Sequence, residues 1–334
     1  MNCHPAVAGL SARLAFIIAL LAVACAVHAA DWKPERQVEF IVPTGPGSGV
    51  DNTFRTIQAV IQGRKIVDAP IIVMNRAGGG YAVALNYLAQ APGDGHKLMV
   101  QTSTPIAAYI TGQLKENYFE FTPVANLISE PIAFMVRADS PFRNAQDLVA
   151  RLKSNPESVS IALSAARGNA YHIASALIAR TAGVDIKRLK VVVFNSSGEG
   201  VTAMLGGHVD VLSVTPANFI PLVQSQKARI IGVASTDRLT GPLAASPTLR
   251  EQGIDVVFDV PRGVIGPKGL APDRIRYWEG VFGAMVKTPE WKQALDKFQW
   301  DPDFRGSADM GRELRRQHDI LKEVLTELGM VGAK

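Results

Sequence analysis

The residues best suited to chemistry in this 334-residue chain are small donors gathered in short loops. The first loop is Thr44-Gly45-Pro46-Gly47-Ser48-Gly49-Val50-Asp51, directly after the apolar run Phe40-Ile41-Val42. Glycine lets a backbone come close to a ligand, and free N–H groups at the start of the following helix favour an anion. This is the composition of a carboxylate or phosphate cradle. A bare strand-to-helix turn has the same composition, so both readings stand at this point. The spacing is neither a Walker A nor a G-x-G-x-x-G pattern. Ser48 is not in a G-x-S-x-G elbow, since Pro46 and Val50 hold the outer positions.

Further loops share this character: Asn75-Arg76-Ala77-Gly78-Gly79-Gly80, Thr102-Ser103-Thr104-Pro105, Ala165-Ala166-Arg167-Gly168-Asn169 and Asn195-Ser196-Ser197-Gly198. The elements that position them are short apolar runs at 71–74, 97–101, 158–164 and 190–194. Such runs, bounded by glycine and proline, read as buried strands. Helical periodicity follows most of the loops, and strands alternating with helices indicate α/β layering. Ligands of open parallel α/β sheets sit beyond the carboxyl ends of the strands. Two groups of strands with similar loops predict two lobes, with a ligand cleft between two mainly parallel sheets joined by two crossover strands. The chain is expected to leave lobe one near 136–138 and to return near 231–235. Residues 31–137 and 232–334 then form a discontinuous lobe one, and 138–231 form lobe two. The last third reads as helical over 273–287, 289–298 and 308–328.

Residues 1–30 read as a cleavable signal segment. An unbroken apolar run at 14–23 has the length of a signal core, and small residues at Val27 and Ala29 suit cleavage near Ala29 or Ala30. A lipid anchor at Cys25 is the lesser alternative, because the leucine usual three residues upstream is missing. Cleavage removes Cys3 and Cys25, and with them every thiol. The net charge falls from +5 to +4, since Arg13 leaves and no acid does. That balance suits an anionic small molecule and is too diffuse to argue for nucleic acid. The histidines show no zinc spacing, so neither metal nor cofactor is expected.

The loop motifs, taken together, resemble the Bug-type periplasmic receptors of tripartite tricarboxylate transporters. The resemblance rests on Ile41-Val42-Pro43 with Pro46 to Asp51, on Val73 to Gly80, and on Ala91-Pro92-Gly93-Asp94-Gly95. It continues through Leu163-Ser164, Gly168-Asn169 and His172, through Leu205-Gly206-Gly207-His208-Val209-Asp210, and through Pro247-Thr248-Leu249 with Glu251-Gln252-Gly253. Pro261-Arg262-Gly263, Gly266-Pro267 and Trp291-Lys292 resemble the tricarboxylate-receptor branch in particular. The resemblance implies a two-lobed periplasmic binding protein of type II-like α/β fold, not an enzyme. It implies a small di- or tricarboxylate ligand, membrane permease subunits as partners, and a monomer in the periplasm.

Carried over by position, Thr44, Gly47, Ser48, Gly49 and Asp51 would line lobe one, with Thr102, Ser103 and Thr104 nearby. Ser164, Gly168 and Asn169 would line lobe two, with Asn195, Ser196 and Ser197 as neighbours. The chain departs from the family pattern at Ser48, Ala166 and Asn169, and at Asn195-Ser196. Arg167 could pair with a second ligand carboxylate or stand as a solvated loop charge. Arg262 could enter the cleft or pair with an acid. Asp51 suits the first turn of a helix, and His172 a packed helix. Two other functions compete with transport: a receptor that delivers its ligand to a signalling partner, and a secreted serine hydrolase. The second lacks any His/Asp order matched to Ser48 or Ser164.

Overall fold

Val38, Phe40, Ile41 and Val42 are wholly buried, and strand β1 (Val38–Val42) forms where they occur. The computed structural model describes residues 32–331 apart from 165 and 195. The expected signal segment, Cys3, Cys25 and Asn195 lie outside the described residues. β2 (Ile71–Asn75) and β3 (Lys97–Gln101) flank β1, both in parallel register. Helix α1 (Gly49–Gly63) follows β1 and turns Phe54, Ile57, Val60 and Ile61 inward. α2 (Ala82–Ala89) follows β2, and α3 (Thr104–Ile110) follows β3.

Three strands were not expected from the sequence: β4 (Phe121–Pro131), β10 (Asp259–Lys268) and β11 (Asp301–Gly306). They complete a six-stranded sheet of order β11-β4-β10-β3-β1-β2. β4 contains two prolines, and β10 two prolines and two glycines, residues that weaken a strand signal. Their antiparallel pairing absorbs these residues through register shifts at Arg262/Gly263, Val264/Ile265 and Gly266/Lys268. At Gly263 a Cβ would stand 2.6 Å from the Ala125 carbonyl, so glycine lets the two strands close.

The second sheet contains β5 (Ala133–Arg137), β6 (Ser160–Ser164), β7 (Lys190–Phe194), β8 (Val211–Val214) and β9 (Ala228–Val233), in the order β7-β6-β8-β5-β9. Around it lie α4 (Ala145–Ser154), α5 (Ala170–Thr181), α6 (Ser197–Leu205) and α7 (Ile220–Gln224). The two-lobed α/β architecture is as the sequence indicates, but the sheets are mixed, not mainly parallel. β10 and β11 run antiparallel in the first sheet, and β5 pairs antiparallel with both neighbours in the second. The reason is the pair of crossovers. β4 runs through Ile132 straight into β5, so sheet membership changes upstream of the expected exit at 136–138. The return passes Ala234, whose N–H donates to the Ile132 carbonyl at 2.8 Å, and the Phe258 N–H donates to the Ala234 carbonyl at 2.9 Å. The crossings are thus bonded to each other at one point.

From Pro34 onward the described chain forms one compact unit. α8 (Pro272–Met285) and α9 (Pro289–Phe298) pack on the first sheet side, where Phe40 meets Phe54 edge to face at 5.3 Å. α10 (Ser307–Glu327) touches β4, α3 and also α5, and so bridges the two halves. No described helix is long and apolar enough to cross a membrane.

Candidate functional site

The first loop is built around a buried carboxylate. Asp51 is 1% exposed, and its Oδ2 accepts from the Gly47 N–H and from Arg55 Nε, each at 2.8 Å. Its Oδ1 accepts from Asn75 Nδ2 at 2.8 Å, and the same amide reaches the Thr44 carbonyl at 2.9 Å. Burial works against the charge, but the bonds from Arg55, Gly47 and Asn75 outweigh it and hold the carboxyl below its usual range. Gly47 takes φ +78°, which glycine adopts without strain. Ser48 caps α1 by accepting from the Asp51 N–H at 3.1 Å, and its hydroxyl lies 2.6 Å from that of Thr44. Asp51 therefore shapes the loop.

Arg262 stands behind this loop. Its Nη1 donates to the Gly49 carbonyl at 2.8 Å and to Thr53 Oγ1 at 2.7 Å, while Nη2 pairs with Glu130. The other Glu130 oxygen accepts from Trp300 Nε1 at 2.8 Å. A Cβ at Gly49 would lie 3.1 Å from the guanidinium, so glycine admits it. Of the two roles open to Arg262, the structure displays the ion pair with an acid, across both crossover strands.

The second loop carries an unforeseen feature. Gly78, Gly79 and Gly80 all have positive φ, and so does Tyr81, at φ +83°. A bulky residue there is strained by about 1–3 kcal/mol, a cost that folds tend to keep at functional sites. The Tyr81 ring is buried, at 8% exposure, and its hydroxyl accepts from Thr102 Oγ1 at 3.3 Å. Burial raises the Tyr81 phenol, against the effects of Thr102, Arg262 and Thr104. From the other lobe, Tyr171 is set among Thr215, Glu130, Arg262 and Tyr81; its phenol too is raised, first by burial and then by Glu130. Thr102 and Ser103 are buried, and Thr104 opens α3.

The lobe-two loop is held by neutral groups. Ser164 Oγ accepts from Ser197 Oγ at 3.1 Å, and Asn169 Nδ2 donates to the Ser164 carbonyl at 2.5 Å. Asn169 caps α5 through the His172 N–H at 3.1 Å. The Gly168 N–H donates to His172 Nδ1 at 2.9 Å, so this ring nitrogen carries no proton. Burial, with help from the Arg167 charge, pulls His172 down to about 4. Arg167 is exposed and donates to the Val191 carbonyl at 3.2 Å. Ser196 caps α6 through the Glu199 N–H at 3.2 Å. At Gly168, φ is +83° and a Cβ would stand 3.1 Å from both Leu325 and Met330, so the loop before α5 rests against the C-terminal segment.

Among the expected residues, Thr104 meets Arg167, Gly168 and Asn169 across a space of about 60 Å³, with Gly80 beside it. Thr44, Gly47, Ser48, Gly49 and Asp51 gather separately around Asn75, Thr53 and Arg262. Tyr81, Tyr171, Thr215 and Glu130 escaped the sequence reading. Residue type does not announce a positive φ, and Glu130 lies in a strand that was not foreseen. Thr215 could have been found, since it follows a predicted strand as the other loops do. No group of three or more His, Cys, Asp or Glu suited to a metal occurs among the described residues.

The family described as the tripartite tricarboxylate transporter family receptor, TctC, matches residues 54–330. A curated relative from Cupriavidus necator, "UPF0065 protein in gbd 5'region", is 26% identical over 307 residues, 91% of each chain. BugT of Bordetella pertussis is 27% identical over 268 residues, 79% of this chain and 80% of its own. A TctC solute-binding protein from Polaromonas shares the fold with a TM-score of 0.74 at 24% identity, covering 88% of this chain and 99% of that one. A Rhodopseudomonas palustris protein solved with adipate gives a TM-score of 0.76 at 22% identity, over 90% and 99% of the two chains. MatC from the same organism, solved with bound malate, gives 0.73 at 22% identity over 87% and 99%. With a family match across most of its length and the fold of these receptors, the chain belongs to the tripartite tricarboxylate transporter receptor family, a family of solute receptors and not of enzymes.

Proposed function

We propose that this receptor captures a small di- or tricarboxylate anion between its two lobes and delivers it to the membrane permease of its transporter. It does so as a periplasmic monomer exported by the segment at 1–30. The observation that carries this reading is the chemistry of the strand-end loops. Hydroxyls, amides and two buried phenols converge there, while the nearby cations Arg55 and Arg262 are engaged by Asp51 and Glu130. A dicarboxylate would be held mainly by neutral donors, which discriminate by geometry. The relatives solved with malate and adipate support the ligand class.

In this reading Thr104, Ser164, Asn169 and Ser196 offer donors to the ligand, Gly168 shapes the loop that carries them, and Tyr81 and Tyr171 close over it. Arg167 stands at the rim. Thr44, Gly47, Ser48, Gly49, Thr102 and Ser103 form the lobe-one wall, which Asp51 and Arg262 position from behind. The ligand favours the closed arrangement by touching both lobes at once.

A thermal-shift screen of the mature protein against malate, adipate, citrate, amino acids and aromatic acids tests the reading. A ligand at about 100 times its dissociation constant adds about 2.7 kcal/mol of stability. A clear upward shift with a di- or tricarboxylate is expected. Shifts confined to amino acids would contradict the ligand class. If the screen is flat, mass spectrometry of the denatured protein should reveal a carboxylate carried through purification; its absence would also count against the reading.

A further inference from the structure

One side of α10 carries Arg315, His318 and Lys322, spaced so that they share a helix face. Together with Tyr109, Ile110 and Phe119 they line a half-open pocket of about 490 Å³. That volume falls in the range of small-molecule sites, roughly 300–1,000 Å³. The pocket lies between α10, α3 and the turn before β4, apart from the strand-end loops.

Its aromatic wall is ordered. Tyr109 and Phe119 meet edge to face with centroids 6.4 Å apart, and Phe119 meets His318 in the same manner at 5.2 Å. The Arg315 guanidinium lies 5.9 Å from the Phe119 ring centre. The charges on this face differ from those elsewhere on the helix. Arg312 pairs with Asp309, and Arg316 with Glu313. Arg315 and Lys322 have no acid within ion-pair distance among the described residues, and His318 reaches the neighbouring Asp319 at 3.2 Å. Two unmatched cations at the mouth of an aromatic and aliphatic pocket form an amphipathic anion site. A carboxylate would meet Arg315 and Lys322, and a ring or acyl chain would lie against Phe119, Tyr109 and Ile110.

We propose that this pocket is a second ligand site, separate from the interlobe loops, for a small aromatic or medium-chain acyl monocarboxylate. The test is isothermal titration of the purified protein with benzoate, 4-phenylbutyrate and octanoate, beside the neutral 4-phenylbutyramide. One of the three acids should bind with a 1:1 stoichiometry. Its affinity should fall at least tenfold in the double variant R315Q/K322Q, and 4-phenylbutyramide should bind at least tenfold more weakly than 4-phenylbutyrate. Both substituted side chains are exposed, and a circular-dichroism melt matching that of the parent confirms the variant's fold. No binding by any of the three acids, undiminished binding by the folded double variant, or equal binding of acid and amide would each overturn the proposal.

Discussion

The two lobes shape their strand-end loops with opposite chemistry. In lobe one a buried carboxylate, Asp51, gathers the Gly47 N–H, Asn75 and Arg55, and a buried ion pair, Arg262 with Glu130, braces the loop from behind. In lobe two the loop hangs on Asn169, Ser164, Ser197 and an unprotonated His172, and it leans on Leu325 and Met330. Charge-assisted bonds are stronger than neutral ones, and a buried charge is costly to strand. Lobe one should therefore act as the fixed jaw. The lobe-two loop should be the softer partner, more sensitive to pH and to the packing of α10.

The largest effect should come from breaking the lobe-one ion pair. Glu130→Ala leaves the Arg262 charge buried and removes the acceptor of Trp300. The expected loss is about 3–5 kcal/mol in urea unfolding, with much of it recovered in Glu130→Leu/Arg262→Met. Next comes Asp51→Ala, which strands the Gly47 N–H and the Asn75 amide and should cost about 2–3 kcal/mol. Equal or larger losses from Asn169→Ala than from Asp51→Ala would reverse the contrast between the jaws.

A pH series sharpens the same contrast. His172, depressed to about 4 in the fold from an ordinary value of 6.5, binds fewer protons folded than unfolded between those values. Its contribution is complete above pH 6.5 and is lost as pH falls towards 4. His172→Gln should remove about 3 kcal/mol of that pH-dependent loss. Asp301 acts in the opposite direction: although the residue is exposed, partial desolvation of its carboxyl and the neighbouring Asp259, Asp237 and Asp303 raise it from 3.8 to about 6. The fold binds the extra proton there, so stability falls as pH rises through that window, and Asp301→Asn should remove this fall. A His172→Gln profile parallel to the parent's would place the pH response elsewhere. The smallest effect should be on binding: Ser164→Ala is expected to weaken carboxylate affinity by about 1–2 kcal/mol in titration calorimetry, with little change in stability.

Much of this was legible in the sequence, and the exceptions have physical reasons. Short parallel strands announce themselves by apolar runs that end in glycine or hydroxyl loops, which is why β1, β3 and β7 fall where expected, whereas the helix after β3 (Thr104–Ile110) was not expected. β4 and β10 do not, because Pro123, Pro131, Pro261 and Gly263 carry turn signals that a bulged antiparallel pair tolerates. Arg262 offered two roles because its partner Glu130 is distant in sequence and lies on that unforeseen strand. His172 reads as a packed helix residue, and it is buried; its ring nitrogen accepting from Gly168 is a matter of loop geometry. Tyr81 gave no signal, since a left-handed backbone at a tyrosine arises from the three glycines before it and the packing around it.

The central claim is that one carboxylate is held by both jaws. The most direct measurement is calorimetric titration of the same carboxylate into the parent, Thr104→Val and Ser164→Ala proteins. Weaker binding in both variants, with unchanged stoichiometry, is predicted. Affinity that falls in one variant and stays at the parent's value in the other would contradict capture between the lobes.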